Sequence, residues 1–122
     1  MSTKQDKEDF VRHVVDLLQT VGPVTSRRMF GGHGVFLDGL MFGLIDNNEL
    51  YFKADEQSQQ EILALGLQAF TYQKQGKEAS LSYYQAPEEA LEHSEEMRKW
   101  GNLGFACALR AAAKKPKRRE SR

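Results

Sequence analysis

A chain of 122 residues has material for one hydrophobic core, and 40% hydrophobic against 28% charged residues fits a globular protein rather than a disordered or membrane-embedded one. No apolar run is long enough to cross a bilayer, the polar start (residues 1–9) lacks the apolar centre of a signal peptide, and the single cysteine, Cys107, has no disulfide partner in the chain; cytoplasmic residence is the expectation. The net charge is zero, yet seven Lys and Arg against one Glu fall between Arg110 and Arg122, so the chain reads as an acidic body with a basic tail.

Phe10, Val14, Leu17, Leu18 and Val21 recur at helical spacing and predict an amphipathic first helix, ended by Gly22-Pro23. Strand-like runs follow at residues 26–30, 34–37, 40–45 and 50–53. Asp38-Gly39 separates two apolar runs, and this dipeptide accepts the positive φ that a two-residue hairpin turn needs. The spacing predicts that residues 35–37 pair with 40–42 and that Phe36 or Phe42 lies beneath a helix. Asp46-Asn47-Asn48 is a second turn. Asp55 stands where the N-cap of a second helix belongs, with Ile62, Leu63 and Leu65 further in and Gly66 as its stop.

Residues 70–74 and 80–85 read as two more strands around Gly76, and residues 87–91 as a short acidic helical piece. Ser94, with Glu95 and Glu96, opens the last helix. Met97, Trp100, Gly104, Cys107, Ala108 and Ala111 share one of its faces, with Trp100 as a core anchor and Gly101-Asn102 as the place for a kink. Residues 114–122 contain Pro116 and no apolar side chain, and are expected to form a disordered basic tail beyond a single domain of residues 1–113. This order predicts an α+β two-layer sandwich, α-β(3-4)-α-β(2)-α, with helices on one face of an antiparallel sheet.

"RRMFGGHGVFLDGLMFGLI" (residues 27–45), "ELYFKAD" (49–55), "LSYYQAPEEALE" (81–92) and "MRKW" (97–100) occur in an order that resembles the N-terminal domain of the TfoX/Sxy family of bacterial competence regulators. The resemblance covers roughly residues 8–113. It implies a fold similar to that of the type III secretion chaperones and a role in transcription. Full-length members of the family act as positive regulators of competence genes alongside the cyclic-AMP receptor protein. They carry a second, C-terminal domain, whereas this sequence ends at Arg122, so the resemblance implies a stand-alone regulatory accessory that acts through a protein partner, as monomer or homodimer. It carries over no catalytic residues.

The residues themselves supply little catalytic chemistry. Gly31, Gly32 and Gly34 suggest a phosphate loop, but such a loop needs a following helix whose amides face the anion, and Val35-Phe36-Leu37 is strand-like. A small ligand near residues 31–34 stays an alternative, with His33 as the histidine of interest. His13, His33 and His93 have no metal-ligand spacing, Cys107 falls on a packing face, and no nucleophile–base set stands out, so no metal, cofactor or enzymatic activity is expected. The acidic run Glu88, Glu89, Glu92, Glu95 and Glu96 reads as a solvated helix start. Lys114, Lys115, Lys117, Arg118 and Arg119 are candidate nucleic-acid contacts; without interleaved aromatics their binding would be weak and blind to sequence. Adjacent Tyr83 and Tyr84 must point to opposite faces of their strand, which makes them candidate protein contacts.

Overall fold

The computed structural model describes residues 4–29 and 31–114. The chain runs α1 (Lys4–Leu18), β1 (Thr25–Met29), β2 (Gly32–Leu37), β3 (Leu40–Asp46), β4 (Glu49–Lys53), α2 (Glu56–Ala64), β5 (Ala69–Lys74), β6 (Lys77–Gln85), a 3-10 turn (Glu88–Leu91) and α3 (Ser94–Lys114). The six strands form one antiparallel sheet in the order β1-β2-β3-β4-β6-β5, and the fold is α+β.

Positive φ at Asp38 (53°) and Gly39 (78°) closes the β2–β3 hairpin as the dipeptide predicts. The register then departs from simple pairing. Leu37 faces Leu40 and Phe36 faces Met41, but Val35 faces Gly43, which leaves Phe42 as the extra residue of a β-bulge. Gly43 shares a side with its β4 partner Phe52, a core residue, and Phe42 also turns to the core, while Met41 and Leu44 both face away from it. The bulge thus converts an unbroken apolar run into two apolar faces. Phe42 is completely buried, 6.1 Å from Phe52 and edge-on to Phe105 of α3 at 5.6 Å. Phe36 lies on the other face.

The core fills the space between the sheet and the helices with Val14 and Leu18 of α1, Val35, Phe42, Leu50 and Phe52 of the sheet, and Met97 and Trp100 of α3. Trp100, 4% exposed, is the anchor its helical position predicts. The first helix stops at Leu18, short of the expected Val21. The Gln19 side-chain amide donates to the carbonyls of Val15 (3.0 Å) and Val24 (2.9 Å), and the Thr20 hydroxyl to that of Leu17, so these side chains take over carbonyls that a further turn would have used. The glycine at the place expected for a kink does not end the helix: α3 is continuous from Ser94 to Lys114. A Cβ on Gly101 would come within 2.7 Å of Leu18 and 2.9 Å of Val21, so the glycine permits α1 and α3 to approach rather than interrupting the helix.

Candidate functional site

Two concavities hold the chemistry of the domain. The first is an open cleft of ≈ 790 Å³ where the start of α2 meets the last turns of α3; Lys53, Asp55, Tyr84, Cys107, Arg110 and Lys114 are among its lining residues. Asp55 caps α2 as the sequence predicts. Its carboxylate accepts from the Ser58 amide at 3.2 Å, and the Ser58 hydroxyl accepts from the Asp55 amide at 3.1 Å, a reciprocal capping box. The Arg110 guanidinium closes on the same carboxylate with two bonds, Nε to Oδ2 at 2.8 Å and Nη2 to Oδ1 at 3.0 Å. Arg110 also donates to Cys107 Sγ (3.3 Å), which in turn lies 3.3 Å from the Ser58 hydroxyl.

The electrostatics of this cluster are those of a joint. The Arg110 bonds hold the Asp55 carboxyl well below the usual carboxylate range, and burial pushes the Cys107 thiol up, away from the thiolate a nucleophile requires. Each polar group is spent on its neighbours, and the result fastens α3 to the N-terminus of α2. The capping role of Asp55 is legible in the sequence. Its pairing with Arg110, 55 positions away, is not, because Arg110 carries no local signal beyond its place in the basic C-terminal run.

The second concavity lies on the sheet face opposite the helices. It is a groove of ≈ 540 Å³ whose lining comes from both ends of the sheet: Met29 of β1, then Met41, Leu44 and Asp46 of β3, and on the far side Phe70 and Tyr72 of β5 with Leu81 and Tyr83 of β6. Two pairing irregularities, of the kind that bend a strand, fall among the strands that line it. One is the bulge at Phe42. The other is an irregularity in the last hairpin, where Ala69 pairs with Tyr84 but Thr71 pairs with Ser80. Gly34 makes room on this face: a Cβ there would collide with Met29 Sδ and Phe36, and lie 3.3 Å from Met41 Sδ.

The residues singled out from the sequence are distributed unevenly over these sites. Tyr83 and Tyr84 do face opposite sides, but neither stands out into solvent. Tyr83, 8% exposed, lines the groove, its hydroxyl pushed up to about 12 by burial and donating to the Met41 carbonyl at 3.4 Å. Tyr84 is half-buried on the helix side, where its hydroxyl accepts from Gln59 of α2. Among the described residues, the exposed large apolar side chains lining this groove are Tyr72 (36%) and Leu81 (40%). Gly31 occupies the β1–β2 turn with φ 79°, and Gly32 begins a strand, so no helix N-terminus follows the glycine cluster. His33, cross-strand from Arg28, has its pKa lowered by burial and by that arginine's charge. The His13 ring is bonded to the Leu91 carbonyl at 2.8 Å, tying α1 to the 3-10 turn. Among the described residues, no group of three His, Cys, Asp or Glu side chains is placed to hold a metal ion. Lys114 is exposed as the last residue of α3, one position past the expected domain boundary; Lys115, Lys117, Arg118 and Arg119 lie outside the described residues. No helix among the described residues is long and apolar enough to cross a membrane.

Fold and sites together define an α+β domain with a polar joint on its helix side and an apolar concave face on the other. The chain belongs to the family of the TfoX N-terminal domain, which matches residues 16–108. It is similar to Protein Sxy of Escherichia coli (strain K12), 33% identical over 73 residues, which make up 60% of this chain and 35% of that relative.

Proposed function

We propose that this domain is a non-enzymatic regulator of the competence type, resident in the cytoplasm, acting on transcription through what it binds rather than by turning over a substrate. The observation that carries the reading is the outer face of the sheet, an apolar groove that the helices leave uncovered. The polar cluster of the opposite cleft supports it, since a carboxylate locked to arginine and a protonated thiol offer no acid–base pair. Similarity to Sxy supplies the regulatory context. The test is genetic: delete the gene in its native host, restore it with the wild-type chain or with Leu81→Arg, and measure competence-gene transcripts. The wild-type chain restores expression and Leu81→Arg does not, although both accumulate to the same level. Unchanged transcripts on deletion would refute the reading.

A second reading has one observation behind it. Lys114, first of the basic run, lines the cleft together with Lys53 and Arg110, so a phosphate backbone held by the tail would find further positive charge beside it. Arg110 is already paired with Asp55, and Glu56 lines the same cleft, which makes this the weaker claim.

A further inference from the structure

Among the described residues, one charged side chain lines the outer groove, and its charge is negative: Asp46, at the end of β3. The rest of the wall is methionine, leucine and aromatic ring, apart from Gly32. We propose that this groove binds a lipophilic organic cation, an apolar or aromatic body with a protonated or quaternary amine set toward Asp46.

Four observations support this. The volume, ≈ 540 Å³, falls within the range of small-molecule sites, roughly 300–1,000 Å³. Asp46 pairs in register with Glu49 of β4, so two carboxylates share one end of the face, and among the described residues no salt bridge engages either. Their field is felt locally: the Tyr51 hydroxyl is raised by burial, then by Glu49 and Asp46. The rings of this face already draw cations, with the Arg27 guanidinium 4.6 Å above Phe36 and the Lys53 ammonium 5.3 Å from the Tyr83 ring centre. Phe70 and Tyr72, stacked at 6.3 Å on the other wall, offer a ligand the same attraction.

The chemistry also says what the groove rejects. An anionic lipophile would lose water from its charge and meet the Asp46 carboxylate at the groove wall, while the Arg27 and Lys53 cations of this face are set on the Phe36 and Tyr83 rings. A second copy of the chain, packed on this face about a two-fold axis, would bring a further Asp46 and Glu49 into the interface. An amine on an apolar body matches both the charge and the lining.

This inference rests on reading the domain as a binder, and it is tested with the intact chain and defined probes. Rhodamine 6G, a flat lipophilic cation, is titrated by fluorescence polarisation, with anilinonaphthalenesulfonate as the anionic counterpart. Saturable one-to-one binding of rhodamine 6G is expected, weakened about three- to tenfold by Asp46→Asn and further by Tyr72→Ala with Leu81→Ala. Leu109→Ala, an exposed apolar position on α3, leaves it unchanged. Circular dichroism and melting curves establish that each variant is folded, and sedimentation gives the oligomeric state. No saturable binding, equal affinity in Asp46→Asn, or anionic dye bound as tightly as the cation would each overturn the proposal. A dimer dissociated by the Tyr72 and Leu81 changes would assign the face to a second copy instead. A chain that restores competence transcripts but binds no cation fails this inference alone; one that binds the cation but leaves transcripts unaffected fails the regulatory reading alone.

Discussion

Asp55 performs two tasks with one carboxylate: it caps α2 and receives Arg110. Asp55→Asn separates them, because asparagine caps a helix nearly as well but cannot form the charged pair. The folded-state pKa of Asp55 is depressed below its ordinary 3.8, so the unfolded chain takes up the proton first as the solution is acidified. Its contribution to stability is therefore complete above the unfolded value and is lost as pH falls toward the folded one. Thermal melts across pH check this. Asp55→Asn melts lower than wild type at neutral pH, and the gap narrows once the pH drops below about 4. A gap of constant width from neutral to strongly acid solution would mean that the asparagine acts through packing and not through charge. The Asp55 cap was legible because it is local. The Arg110 partner was not, because nothing in a basic stretch of helix says which arginine meets a carboxylate half a chain away.

Among the elements, α3 packs on α1, the 3-10 turn, β3 and β4. Its face of Met97, Trp100, Gly101, Gly104, Cys107 and Ala108 is buried along its length. Small residues let it sit close: a Cβ on Gly104 would lie 3.2 Å from the Phe42 carbonyl and from Phe52. Trp100 fills the space the small residues leave, and Trp100→Ala is expected to cost about 3–5 kcal/mol, a large fraction of the roughly 5–15 kcal/mol that holds a domain folded. Denaturant unfolding measures it, and a midpoint equal to wild type would place the indole outside the core. Helical spacing predicted this face nearly residue for residue, since a buried stripe repeats every three or four positions whatever it packs on. The same spacing left Gly101 off that face. A glycine in a helix reads as a weak point until the neighbouring helix is known, and here Leu18 and Val21 occupy the space a side chain would take. On β3 the alternation rule failed for a related reason. Leu40 to Ile45 is apolar at every position but Gly43, so no period of two could show that Phe42 is a bulge.

For the molecule as a whole, the acidic body and basic run set the remaining prediction. If residues 114–122 bind duplex DNA, engaging about four phosphates gives a log–log salt slope of roughly −3.6. Titration of the intact chain and of a chain ending at Ala113 at two salt concentrations tests this; equal binding by both would remove the basic run as the binding element. The expected result is weak or undetectable binding by either form, since the body carries sixteen acidic against ten basic residues before Arg110. The sequence by itself determined the helices, the Asp38-Gly39 turn, the Asp55 cap, the α+β class and the family, because each depends on neighbours within a few residues or on a pattern held in linear order. Only the tertiary structure decided that Asp55 pairs with Arg110, that Gly101 admits α1, and that an apolar groove with one carboxylate opens on the outer sheet face. Those features depend on which distant strands and helices come together and on how far the sheet curves. Met29 and Tyr72 come from opposite edges of the sheet, and no local pattern records that they line one groove.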